Sequence, residues 1–167
     1  MGEKLTAGDV KKIEEEIEYR KLVERKRILE DVKEARAQGD LSENFEYYAA
    51  KKEKGRNDGR IRYLEKLLKN ATIIEDHSSQ DEVGMNNIVD VYFEDDDETE
   101  TYKLVTSIRG NSMNNYISIE SPLGKAILGH KEGDRVEVVV NGQPGYFVKI
   151  MRIDKSADDS DDKIKGF

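Results

Sequence analysis

The sequence predicts an α+β protein in two parts: a long antiparallel coiled-coil hairpin over residues 1–75 and a small α+β domain over residues 88–154. Three observations carry that prediction. Charged residues (38%) outnumber apolar ones (36%) among 167 residues, too little apolar material for one compact core but enough for an extended part and a small globular one. Residues 8–75 hold apolar side chains at three- and four-residue spacing and no proline. From residue 88 the pattern changes to short β-branched and aromatic runs between turn residues.

In the first helix, Val10, Ile13 and Ile17 begin an apolar stripe that Ile28, Val32 and Ala35 continue. Arg20, Lys21, Arg25, Lys26 and Arg27 interrupt the seam between them. Gln38-Gly39-Asp40-Leu41 predicts the reversal, with Gly39 ending helix one and Asp40 capping helix two. The return helix carries Phe45, Tyr48 and Ala49, then Ile61, Leu64, Leu67, Leu68 and Ala71. A narrow stripe with charge on every other face suits two helices lying side by side. Ala35, Ala49, Ala50, Gly55 and Gly59 let them lie close, and roughly 30 residues per helix make a finger about 45 Å long.

Residues 76–87 read as a polar linker. The strands expected beyond it are Ile88–Phe93, Tyr102–Thr106, Tyr116–Ile119, Arg135–Val140 and Tyr146–Ile153. Asp95-Asp96-Asp97 turns between the first two, and Asn141-Gly142 signals a hairpin between the last two. Ser121-Pro122 opens a short helix through Leu128. Residues 155–167, acidic and rich in serine, read as a mobile tail.

Composition excludes several kinds of chemistry. Without cysteine there is no disulfide and no thiolate metal site, and His77 and His130 are too far apart in sequence to suggest a zinc centre. No apolar run approaches a membrane span and the first 20 residues are charged throughout, so a soluble, cytoplasmic protein is expected. Residues 1–75 hold 18 Lys/Arg against 17 Asp/Glu, whereas residues 76–167 hold the other 10 and 19. A chain of net charge −8 is a poor free binder of nucleic acid, so any contact with RNA needs a partner to deliver it.

The segment Gly39-Asp40-Leu41-Ser42-Glu43-Asn44 places two carboxylates at the far end of the hairpin. Asp40 and Glu43 could share a divalent cation through oxygen ligands, held firmly only if a partner completes the site, because Mg²⁺ accepts one or two carboxylates and keeps waters. Their i, i+3 spacing equally fits a capping box at the start of helix two. Lys33 and Arg36 precede this tip and Lys51, Lys52, Lys54 and Arg56 follow it. They suit an RNA backbone, or a solvated face paired with Glu30, Glu34, Glu46 and Glu53. Phe45, Tyr47 and Tyr48 could stack a displaced base, although the spacing of Phe45 and Tyr48 favours packing in the seam.

Two stretches resemble a known family. The run Ala35-Arg36, Gly39 to Asn44, Glu46-Tyr47, Ala49-Ala50-Lys51, Gly55 and Gly59-Arg60-Ile61 is similar to the first-domain signature of GreA/GreB transcript elongation factors. Ile117-Ser118, Ser121-Pro122-Leu123-Gly124-Lys125-Ala126-Ile127-Leu128-Gly129 and Gly133-Asp134 resemble their second-domain signature. Phe45 stands where the family usually has alanine, and Lys26 where it usually has proline. The resemblance implies an FKBP-like fold for the second domain, docking at the secondary-channel rim of the largest subunit of RNA polymerase. It implies that the finger enters the channel as a monomer and helps the polymerase cleave backtracked RNA at its 3′ end, rescuing arrested complexes. Asp40 and Glu43 then take the acidic tip positions and Ser42 a supporting one. Arg36 and Lys51 match the basic patch, joined by Lys52, and Ser121, Pro122, Leu123 and Gly124 belong to the docking domain. No cofactor is held tightly; the Mg²⁺ is that of the polymerase, and the chain is an accessory factor rather than an enzyme. Two rivals are a channel-binding inhibitor of the same fold, which has no need of the acidic pair, and an FKBP-like prolyl isomerase, for which the second domain has few aromatics.

Overall fold

The computed structural model describes residues 2–39, 44–109 and 115–166. The chain forms two compact units: Asp9–Ala71 make up most of one, and Glu3–Gly8 with Thr72–Gly166 form the other.

The first unit is a helical hairpin. Its outgoing arm is α1 (Ala7–Tyr19), a π-helical turn (Arg20–Glu24) and α2 (Arg25–Ala37). Its return arm is α3 (Phe45–Asn70). On α3, Ala50, Asn57 and Leu64 are buried at the seven-residue interval of a coiled-coil seam. On the outgoing arm Ile28 and Ala35 keep that interval, but Ile13 lies fifteen residues before Ile28, one more than two heptads. The π turn takes up the extra residue, with the Arg25 N–H bonded five residues back to the Arg20 carbonyl. The Lys26 position therefore continues the helix, and the irregularity falls just ahead of it.

At the π turn the seam is polar. Arg20 donates to Asn57 Oδ1 (3.0 Å), and Asn57 Nδ2 donates to the Arg20 carbonyl (3.2 Å). Glu16 accepts from Arg20 Nε (2.7 Å) and Arg60 Nε (2.9 Å), the Arg60 side chain being only 4% exposed. Burial alone would push the Glu16 carboxyl up, but hydrogen bonds from Arg60 and Arg20 outweigh it and hold the group below the ordinary carboxylate range. Further ion pairs cross between the arms at Lys21–Glu65, Arg25–Asp58 and Arg27–Glu53.

The second unit contains two sheets. β1 (Lys4–Leu5) and β2 (Thr72–Ile73) form a short parallel pair. Five strands form the main sheet: β3 (Ile88–Phe93), β4 (Glu98–Val105), β5 (Tyr116–Ser118), β6 (Arg135–Val138) and β7 (Tyr146–Asp154). Their spatial order is β5-β4-β3-β7-β6, with only β4 and β5 parallel. Val89, Val91, Leu104, Val136, Val148 and Ile150 alternate inward to form the core. The helix α4 (Pro122–Ile127) adds Leu123 and Ile127 to it.

Several expectations shift. The first half of β4, Glu98–Thr101, is too polar to read as a strand, yet it pairs with β3 along its whole length. β6 ends at Val138, and the chain turns further on, where Gln143 N–H bonds the Val140 carbonyl and Gly142 takes a φ of +75°. In the segment read as a linker, Val83 is fully buried in the core and exchanges backbone hydrogen bonds with Gly129 and His130. The segment read as a mobile tail is packed against its own domain. Asp162 is buried and accepts from Lys103 Nζ (2.9 Å), Arg109 Nη1 (2.9 Å) and Tyr116 Oη (2.6 Å), while Lys165 N–H bonds the Ile108 carbonyl. Composition favoured disorder, but one aspartate meeting two buried or half-buried cations outweighs it.

Candidate functional site

The two helices approach the reversal with firm boundaries. α2 ends at Ala37, and Gly39 at φ +115° has open space where a Cβ would sit, as a glycine closing a helix does. Asn44, four residues later than the expected Asp40, caps α3. Its Oδ1 accepts the Tyr47 N–H (3.0 Å), and its Nδ2 donates to the Ala35 carbonyl (2.6 Å), tying the start of α3 to the end of α2. Asp40, Leu41, Ser42 and Glu43 lie outside the described residues. Among the described residues no group of three or more carboxylates or histidines could hold a metal ion.

Of the basic side chains beside the reversal, Lys33, Arg36, Lys51, Lys52 and Arg56 are exposed, and Lys54 is half-buried and pairs with Asp58. Among the described residues, Lys33, Lys51 and Lys52 enter no ion pair, and the Arg36 guanidinium lies over the Tyr47 ring, 5.7 Å from its centroid. The acidic residues expected to neutralise them are engaged elsewhere or stand apart: Glu53 pairs with Arg27, and Glu34 and Glu46 border a separate groove with Asp31. That groove, bordered also by Glu53, is acidic, whereas a second one mixes Arg20, Lys52 and Arg56 with Glu24 and Glu53. Phe45 and Tyr48, expected in the seam, are 84% and 49% exposed; Ala50, not either aromatic, occupies the seam at this level. Helical spacing located a stripe but not its phase, and the later cap at Asn44 shows which residues begin the turn.

In the second unit the four residues from Ser121 to Gly124 divide by role. The Ser121 hydroxyl caps α4 by accepting the Gly124 N–H (3.1 Å) and donates to the Ser118 carbonyl (2.6 Å). Leu123 sits in the core, and a Cβ on Gly124 would lie 2.0 Å from the Ser118 carbonyl oxygen. Of the four, Pro122 is the exposed one. Leu128, just beyond the helix, is also exposed.

Comparison with known proteins then decides the family. Residues 3–73 match the model of the transcription elongation factor N-terminal domain of GreA and GreB, and residues 78–155 match the model of their C-terminal domain. The chain belongs to the GreA/GreB family. Transcription elongation factor GreA of Thermoanaerobacter pseudethanolicus is 49% identical over 147 residues, covering 87% of this chain and 92% of that one. GreA of Clostridium kluyveri is 47% identical over 151 residues, covering 89% and 94%. The crystal structure of GreA factor homolog 1 (Gfh1) of Thermus thermophilus is 25% identical, covering 92% of this chain and 99% of that one, at a TM-score of 0.43 too low to add to the GreA/GreB assignment. Among the described residues no helix is long and apolar enough to cross a membrane.

Proposed function

We propose that this GreA/GreB-family chain is an accessory factor of bacterial RNA polymerase, whose hairpin enters the secondary channel and helps the polymerase's active site hydrolyse backtracked RNA. The observation that carries the reading is the joining of two long helices through Gly39–Asn44, a segment holding Asp40 and Glu43, with Lys33, Lys51 and Lys52 nearby and in no ion pair among the described residues. The hairpin's length gives the acidic pair its reach, and the catalyst belongs to the partner. Mg²⁺ at the polymerase active site supplies charge stabilisation and a bound, acidified water. Asp40 and Glu43 add carboxylate oxygens that retain the second ion and orient the attacking water, with Ser42 in support. Arg36, Lys51 and Lys52 hold the RNA backbone near its 3′ end. The domain containing Ser121, Pro122, Leu123 and Gly124 docks at the channel rim, and the factor acts as a cytoplasmic monomer without a tightly held cofactor.

RNA cleavage in a backtracked elongation complex tests this reading. Asp40→Ala and Glu43→Ala are each expected to abolish stimulated cleavage while binding to polymerase persists. Cleavage unchanged in both variants rejects the assigned roles. A channel inhibitor of the same fold is not favoured, since the relatives are named as elongation factors; slower cleavage with the wild-type protein would restore that rival.

A further inference from the structure

Phe45 is the most exposed of the large hydrophobic side chains among the described residues, at 84%. A phenyl ring so placed adds next to nothing to the hairpin's interior. Nor is it on a loose segment: it is the first residue of α3, directly after the Asn44 side chain that joins both helices. Its neighbours along the helix give it a direction. Phe45, Ala49, Lys52 and Arg56 fall within about 60° of one another around α3, and all four are exposed. Ala49 leaves a gap between the ring and Lys52, which follows about 10 Å along the axis.

Ala49, Lys52 and Arg56 also line an open groove of about 380 Å³ with Arg20, Glu24 and Glu53. Both of those glutamates are paired with Arg27, which weakens their repulsion of an anion. On one flank of the stripe lie Glu46 and Glu53, and on the other Tyr48 and Lys51. An aromatic ring followed by cations, with acid confined to one flank, complements a single strand of nucleic acid, in which base faces alternate with phosphates. An apolar protein pocket would call for further apolar residues around the ring, and the stripe offers cations.

We propose that Phe45 stacks on a nucleobase of the RNA 3′ segment, while the phosphates of that segment run along Lys52 and Arg56. This rests on the function proposed above and adds a base contact to it. The contact does not depend on base identity, because every base has a stackable face.

The test uses the full-length protein, backtracked elongation complexes, and RNA whose 3′-terminal nucleotides carry bases or are abasic. On normal RNA, Phe45→Ala and Phe45→Leu are expected to raise the half-maximal concentration for cleavage roughly tenfold, the scale of losing one base–aromatic stack, whereas Phe45→Tyr and Phe45→Trp retain it. On abasic RNA the wild type and Phe45→Ala should converge. A Phe45→Ala loss of equal size on both RNAs, or full rescue by Phe45→Leu, overturns the stack and points to an apolar seat on the polymerase. Wild-type-like cleavage by Phe45→Ala on normal RNA overturns it as well. Failure of the wild type to stimulate cleavage at all removes the underlying function and the stack together, and is distinguished by that control.

Discussion

Asn44 performs two tasks with one amide: the oxygen receives the Tyr47 N–H in the first turn of α3, and the nitrogen holds the last turn of α2. Asparagine suits both because it offers an acceptor and donors on one short arm. Asn44→Ala removes both bonds and should cost the hairpin about 1–2 kcal/mol, read as a lower thermal midpoint. Asn44→Asp keeps the acceptor but loses the donor to the Ala35 carbonyl, and should fall between the two. A wild-type midpoint for Asn44→Ala would remove the clamp. The sequence held the right chemistry here at the wrong position. Asp40 is as good a cap as Asn44, and nothing in a one-dimensional pattern ranks two such residues four apart. Ser121 was legible because Pro122 follows it, and proline fits only the first turn of a helix.

At the scale of elements, the outgoing arm accommodates an extra residue without breaking. Deleting Leu22, which lies within the π turn and is 65% exposed, should convert that turn to regular α-helix and restore two whole heptads between Ile13 and Ile28. Helical content should hold and the thermal midpoint should stay within a few degrees of wild type. A collapse of the midpoint would mean that the seam on either side does not share one register. The cluster of basic residues from Arg20 to Arg27 was visible in the sequence only as a weakened seam. Its cause is partnership across the hairpin, Arg20 with Asn57 and Arg60 with Glu16, between residues some 40 positions apart, beyond the reach of local periodicity. Strands β3 and β7, by contrast, were legible almost to their ends because their apolar residues alternate.

Across the whole molecule, charge does different work in each unit: in the hairpin it borders the approach to the tip, and in the second unit it secures the C-terminal segment. Burial would raise the Asp162 carboxyl, but hydrogen bonds from Tyr116 and Lys103 leave it below the ordinary range. The sign follows from that direction. Asp162 contributes its full stabilisation above the unfolded carboxylate value of about 3.9, and loses it as pH falls through the lower folded value. Amide exchange in residues 155–166 should therefore accelerate below about pH 4 before the core of the sheet opens. Asp162→Asn should bring that acceleration to neutral pH, since it leaves Arg109 and Lys103 facing a neutral group. Unchanged exchange in the variant would show that the backbone bonds alone hold the segment. The serine and aspartate content of residues 155–167 hid this, because composition averages over a segment while anchoring depends on one side chain.

The polar level at Arg20 and Asn57 divides the hairpin's interior unequally. Among the described residues, it leaves Ile13, Ile61, Leu64 and Leu67 toward the start of α1 and the end of α3, and toward the reversal only Ile28 with Ala35 and Ala50. Thermal opening should thus begin where α2 meets α3 and stop at that level, leaving a stiff shaft with a yielding point. On heating, amide protection should be lost at Ile28 and Ala50 before it is lost at Ile13 and Leu64.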